Sequence, residues 1–350
     1  MLETPPQPVP LTILTGFLGA GKTTLLNRIL HADHGLRVAV LVNDFGTVNI
    51  DTQLVVGVEG EAISLANGCI CCTIRGDLLN TAVELLKRPD PPEYLLIETS
   101  GVSDPWAVVE TFEMPELRPY FNLDSVITVV DAEYALQQRH YEDLIVDQVS
   151  AADIVVLSKV DLVTAEQRAE VEAWVRRIVP RARILPAVYG DVPLNLLLNV
   201  GRYTLDIPLA RSHEHHDHHE HGERCDHDHH HDHSKDFDTW AYISDRPFAL
   251  KPLRDVVLNL PLGIFRAKGL IYLAEVPQRR AVLQAVGHRV TVALTEPWGE
   301  ATPRTQLVFL STPGDLDTAA LQAAFDACLA DVSAEAEVAA QHTWYRGATA

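Results

Sequence analysis

The chain has 350 residues, 47% of them hydrophobic, which is enough for two packed domains, and 48 acidic against 28 basic residues give it a net charge of -20. That balance speaks against a nucleic-acid footprint, which concentrates Lys and Arg. Residues 1–10 carry no basic segment ahead of an apolar one, and no stretch reaches the roughly 18 apolar residues of a bilayer span, so neither export nor membrane insertion is expected.

In chain order, short runs rich in Val, Ile and Leu predict buried strands at Leu11–Leu14, Val38–Val42, Tyr94–Ile97, Ser125–Val130, Ile154–Leu157 and Ile184–Val188. Between them, apolar residues at three-to-four spacing predict helices at Thr23–Leu30, Leu78–Leu86, Ala132–His140 and Ala165–Val179. The alternation is that of a doubly wound α/β domain with a mostly parallel sheet, over residues 1–210. Residues 211–236 lose all apolar periodicity and read as a His-rich flexible linker. A smaller α+β domain follows over 237–332, with strands at Phe237–Ser244, Phe265–Glu275, Arg289–Leu294 and Gln306–Leu310 and helices near Lys251–Leu260 and Leu316–Leu329. An Ala-rich tail, 333–350, closes the chain.

Gly16-Phe17-Leu18-Gly19-Ala20-Gly21-Lys22-Thr23 fits the phosphate-loop pattern between a predicted strand and a predicted helix. Gly16, Gly19, Ala20 and Gly21 let backbone N–H groups approach phosphate oxygens, and the helix amino terminus, with Thr24, adds favourable dipole charge. Lys22 is expected to reach the β- and γ-phosphates and Thr23 to ligate Mg²⁺. The strand ending Leu95-Leu96-Ile97-Glu98 supplies the second acidic group near Mg²⁺, and Gly101 follows where the γ-phosphate would lie. Ser158-Lys159-Val160-Asp161 reads the base: Asp161 can accept from both guanine N1 and N2, which favours GTP and GDP over adenine nucleotides, although Ser158 stands where Asn is usual.

Five cysteines are an odd number, and three crowd into Asn67-Gly68-Cys69-Ile70-Cys71-Cys72, a spacing suited to thiolate ligation in a reducing, cytoplasmic compartment. Cys69, Cys71 and Cys72 can give two or three sulfurs to Zn²⁺, Cu⁺, Co²⁺ or Ni²⁺. The competing reading is buried free thiols acting as small apolar residues, the role expected of Cys328. A second ligand-rich stretch holds His213, His215, His216, His218, His219, His221, His227, His229, His230, His231 and His233 among acidic residues. It reads as a reservoir of loosely held ions.

Together these residues resemble the CobW-type metallochaperone GTPases, a family that includes cobalamin-biosynthesis accessory proteins, nitrile hydratase activators and zinc-transfer GTPases. The resemblance begins with residues 15–26 and takes in Asn43-Asp44-Phe45-Gly46, the Cys-x-Cys-Cys run, Glu98-Thr99-Ser100-Gly101, Asp104-Pro105, Val129-Val130-Asp131 and Arg266-Ala267-Lys268-Gly269. It implies a GTPase that binds GTP/GDP, Mg²⁺ and Zn²⁺, or Co²⁺ or Ni²⁺, and passes the ion to a client metalloprotein. A nucleotide- or metal-dependent homo-oligomer belongs to the same expectation. It implies too that Asp44, where the family has Glu, orients water or senses Mg²⁺, with Lys22 and Glu98 as its catalytic companions. Thr47 and Val42 replace residues that are acidic in other members. The amino-terminal Cys-Pro motif of the branch that docks methionine aminopeptidase is missing from Thr4-Pro5-Pro6-Gln7-Pro8. Rival readings are a cobalt- or nickel-insertion GTPase and a metal-storing or sensing protein with regulatory nucleotide binding.

Overall fold

The computed structural model describes residues 8–32, 35–43, 62–64, 82–137, 142–198, 237–299, 301–330 and 342–344. Asp44, Cys69, Cys71, Cys72 and the histidines from His213 to His233 lie outside the described residues.

The first sheet contains β1 (Val9–Thr15), β2 (Val38–Asn43), β3 (Ala62–Ser64), β4 (Tyr94–Thr99), β5 (Phe121–Asp131), β6 (Ile154–Ser158) and β7 (Arg183–Ala187). They lie in the order β3-β2-β4-β1-β5-β6-β7, with each neighbouring pair parallel. β4 and β6 are buried along their whole length, as a parallel sheet covered on both faces requires. Because side chains alternate across a strand, Leu14, Leu96 and Val129 pack on Leu25, Leu26 and Ile29 of α1 (Lys22–His31). Ile13, Leu95 and Ile97 face the other way, onto Val108, Val109 and Phe112 of α2 (Pro105–Phe112). Farther along the sheet, Val155 and Leu157 pack on Ile145 and Val149 of α3 (Glu142–Ser150) and Val171 and Val175 of α4 (Ala165–Ile178). The capping box of Thr164 and Gln167 starts α4 where the sequence pattern places it.

One expected helix does not form in the described residues. Residues 132–137 make successive turns, because the Asp131 carboxylate accepts from the Glu133 and Tyr134 amides at 2.9 and 3.3 Å and Ala132 N–H goes to Ser158 O at 3.0 Å. Local side-chain bonding of this kind competes with a helical first turn. The helix expected at Leu78–Leu86 is described only over 82–86, which is helical.

The second sheet is antiparallel, in the order β13-β11-β10-β9-β12-β8. Its strands are β8 (Asp238–Ser244), β9 (Ile264–Tyr272), β10 (Arg279–Val286), β11 (Arg289–Pro297), β12 (Thr305–Ser311) and β13 (His342–Trp344). β10 was not expected, and β13 lies in the stretch read as a tail. One face packs Tyr242, Phe248, Leu307 and Phe309 against Leu253 and Val257 of α6 (Leu250–Val257) and Leu321 and Phe325 of α7 (Thr318–Asp326). Cys328 is buried here, its thiol pushed up to about 11 by burial and donating to Ala324 O at 3.3 Å.

The other face meets the first domain. Phe265, Val286 and Leu310 join the same apolar cluster as Leu14 and Leu96. Pairing of β9 with β12 shifts register between Leu310 and Ser311, which leaves Phe265 as an extra residue. Such a bulge lets both Phe265 and Arg266 reach the first domain. Arg266 Nη1 pairs with Asp124 on β5 at 2.9 Å, and its other nitrogens donate to the Leu196 and Leu197 carbonyls of α5 (Leu194–Leu197). Asp124 also accepts from the Tyr94 hydroxyl at 2.7 Å, and burial, reinforced by Asp124, holds that phenol well above its ordinary value. Arg289 Nε bonds Asp153 at 3.1 Å, and Arg183 reaches the opposite way to Ile264 O at 2.9 Å.

Arg266→Ala strands the Asp124 carboxylate in a desolvated interface, so the stability loss is expected to be about 3–5 kcal/mol. Urea denaturation followed by tryptophan fluorescence checks it, and an unchanged midpoint would contradict the assignment.

Candidate functional site

The site forms at the carboxyl ends of three adjacent strands. β1 lies between β4 and β5, with Leu14 opposite Glu98 on one side and Ile127 on the other. The chain leaving β1 therefore enters its glycine loop between the ends of β4 and β5, the crevice where open α/β sheets bind ligands.

Two close approaches explain why glycine is required. A Cβ on Gly16 would stand 2.2 Å from Val129 O of β5, and its φ of 137° is in any case one that L side chains rarely adopt. A Cβ on Gly101 would stand 2.6 Å from Leu18 N, so the loop after β4 rests directly on the phosphate loop. Gly19 has φ 72°, Ala20 is buried, and Gly21 precedes α1 with φ 103°. Lys22, Thr23 and Thr24 open α1, so their amides sit at its positive end.

The Lys22 ammonium is buried and donates to Gly16 O at 2.9 Å and Phe17 O at 3.2 Å, lying across the loop it is expected to serve. Thr23 Oγ1 donates to Glu98 Oε1 at 3.1 Å, and Glu98 is 3% exposed. Two hard oxygen donors brought together at a helix amino terminus fit Mg²⁺ accompanying a nucleoside triphosphate. Thr23 and Glu98 would hold it, and the ion would neutralise charge developing on the phosphates.

The segment expected to read the base is tied to the same loop. The Ser158 hydroxyl donates to Ala20 O at 2.6 Å, joining the end of β6 to the phosphate loop. Lys159 follows in a left-handed conformation, φ 56°, pairs with Asp131 at 2.7 Å and lies over the Tyr134 ring. Asp161 sits exposed in the turn Val160–Leu162, open to a base. The structure thus brings Gly16, Gly19, Ala20, Gly21, Lys22, Thr23, Thr24, Glu98, Gly101, Lys159 and Asp161 to one end of the sheet. Asp131, the partner of Lys159, was not among the expected site residues. A carboxylate ending a strand one position before a turn is its sequence signal.

Among the described residues no group of three His, Cys, Asp or Glu side chains gathers as a metal site, and no helix is long and apolar enough to cross a membrane.

The nucleotide-binding domain model of CobW/HypB/UreG matches residues 10–186, and the model of the cobalamin synthesis protein cobW C-terminal domain matches residues 237–329. This chain belongs to the CobW/HypB/UreG family. As a member it is a P-loop GTPase. It is 33% identical to the zinc chaperone CobW of a Sinorhizobium species over 91% of this chain and 97% of that one. It is 31% identical to the zinc chaperone YjiA of Escherichia coli over 87% of this chain and 94% of the relative. The zinc-regulated GTPase metalloprotein activator 1 of Dictyostelium discoideum is 32% identical over 82% of this chain and 67% of its own length.

Gly16→Ala forces either β5 or the loop to move, so charge-assisted hydrogen bonds to phosphate worth about 1.5–3 kcal/mol are lost and GDP affinity is expected to fall about 10- to 100-fold. Titration with a fluorescent GDP analogue tests this; an affinity near that of the parent would mean the loop does not hold phosphate in this conformation.

Proposed function

We propose that this GTPase is a metallochaperone that binds a transition metal, Zn²⁺ foremost, through Cys69, Cys71 and Cys72 and couples the ion's transfer to a client metalloprotein to GTP binding and hydrolysis. Its working parts are a nucleotide domain over 1–210, a His-rich linker over 211–236 and a C-terminal domain over 237–332, to whose sheet His342–Trp344 of 333–350 adds a strand. Lys22, Glu98 and Asp44 act on the phosphates, Thr23 and Glu98 on Mg²⁺, and Lys159 and Asp161 on guanine.

The observation that carries the coupling is strand register. Ser64 of β3 stands opposite Val42 of β2, and Val42 opposite Glu98 of β4. Ser64 is therefore two strand spacings, about 10 Å, from the Mg²⁺ carboxylate. Cys69 follows five residues later, a reach of at most about 18 Å of chain. A segment of that length, starting two strands from Glu98, is short enough for thiolates to respond to the nucleotide. The names of the relatives, two zinc chaperones and a zinc-regulated GTPase metalloprotein activator, support Zn²⁺ over Co²⁺ or Ni²⁺ as the ion.

The histidines of the linker hold further ions loosely and separably. Deletion of residues 211–236 is expected to lower the Zn²⁺ stoichiometry while leaving one tight, nucleotide-sensitive ion per chain; Cys71→Ala in that background removes it without unfolding the protein. Metal analysis after gel filtration with GTP analogue or GDP reads both. A tight ion that survives Cys71→Ala would sink the assignment. Loss of all nucleotide sensitivity with the linker alone would favour storage over delivery.

A further inference from the structure

One buried polar side chain close to the phosphate loop has no part in the nucleotide contacts described so far. Gln148, on α3, is fully buried. Its Nε2 donates to Gly101 O at 3.0 Å and Ser103 O at 3.3 Å, so both hydrogens of one amide go to main-chain carbonyls of the loop after Glu98. Its Oε1 is buried with no hydrogen-bond partner among the described residues. The side chain lines a small cavity shared with Phe17, Leu18, Ala20, Thr128 and Val130.

A glutamine held this way acts on geometry. Each carbonyl that accepts from it belongs to a planar trans peptide, so fixing Gly101 O and Ser103 O fixes the directions of the Val102 and Asp104 N–H groups as well. Gly101 has no freedom on its other side, where Leu18 backbone leaves no room even for a methyl group. The loop is thus clamped between the phosphate loop and α3. Its far end is secured by Asp104, whose carboxylate accepts from Trp106 N at 2.9 Å and starts α2. Gln148 is itself indexed to the sheet, because the Thr128 hydroxyl of β5 donates to Gln148 O at 2.8 Å. Thr128 is the neighbour of Val129, the residue against which Gly16 rests.

We propose that Gln148 is a positioning residue for GTP hydrolysis: it holds Gly101 against the phosphate loop, so that the loop after Glu98 is set for a γ-phosphate before one arrives. GDP has no γ-phosphate and does not draw on this arrangement. The inference rests on the GTPase reading, and the test separates the two.

Gln148→Met keeps the length and apolar packing of the side chain and removes both donors. Single-turnover hydrolysis at saturating GTP is expected to slow about 10–100-fold, the range that misplacement of a reacting arrangement produces. GDP affinity and the melting temperature of the GDP complex stay within about threefold and a few degrees of the parent. Thr128→Val, which loosens α3 but leaves the Gln148 amide in place, gives a smaller loss of the same kind and serves if the methionine variant does not fold. Hydrolysis within threefold of the parent in the folded variants would overturn the proposal. Parallel losses in GDP affinity and turnover would overturn it too, showing a merely structural role. A parent that binds GTP but never hydrolyses it would instead overturn the GTPase reading, and this inference with it.

Discussion

The seating of β1 between β4 and β5 is the constraint from which the nucleotide site follows. Parallel pairing on both sides puts the end of β1 within one strand spacing of Glu98 and of Val129, and the glycine loop must turn in that gap. Gly16 against Val129 O and Gly101 against Leu18 N are backbone-to-backbone contacts with no slack. A phosphate that shifts the loop therefore shifts the ends of two strands and the segments that leave them. Packed backbone of this kind moves between discrete arrangements more readily than it deforms continuously, which is what a nucleotide switch needs.

The second domain is joined to the face of the sheet that carries α1. Apolar contact through Phe265, Val286 and Leu310 is supplemented by Arg266, Arg289 and Arg183, each paired or bonded across the boundary. Burial lowers Arg183 to about 10, which leaves it charged at neutral pH and in need of its carbonyl partners. Desolvated pairs of this sort add little net stability but penalise any misaligned docking, since each misplaced partner is left as an uncompensated charge. The chain running from Arg266 through Asp124 and Tyr94 to Thr12 extends that registration into β4 and β1, the strands that lead to the site.

Much of the first domain was legible because parallel strands buried on both faces must be apolar throughout, as at Leu95-Leu96-Ile97 and Val155-Val156-Leu157. The phosphate loop was legible because its glycines answer to sterics that leave few alternatives. β10 was missed for the opposite reason: its buried positions include Ala281, Leu283 and Ala285, two of them too small to mark an alternation against Val282 and Gln284, which lie between them. Residues 132–137 have helical spacing, but the Asp131 side chain takes the amides that would start the helix. The arginine pairs were illegible because a strand Arg reads as solvated unless its distant carboxylate is known. Ser158 looked like a departure from the base-reading pattern, and in the fold its hydroxyl bonds the phosphate loop.

The coupling proposed between nucleotide and thiolates must be reciprocal: whatever factor metal contributes to GTP affinity, GTP contributes to metal affinity. The decisive measurement is a competition titration of Zn²⁺, against a chelator of known affinity, into chain lacking residues 211–236 and loaded with a non-hydrolysable GTP analogue or with GDP. A difference in Zn²⁺ affinity of about 5- to 150-fold between the two loadings is expected, the usual range of an allosteric coupling. Equal affinities would contradict nucleotide control of the metal.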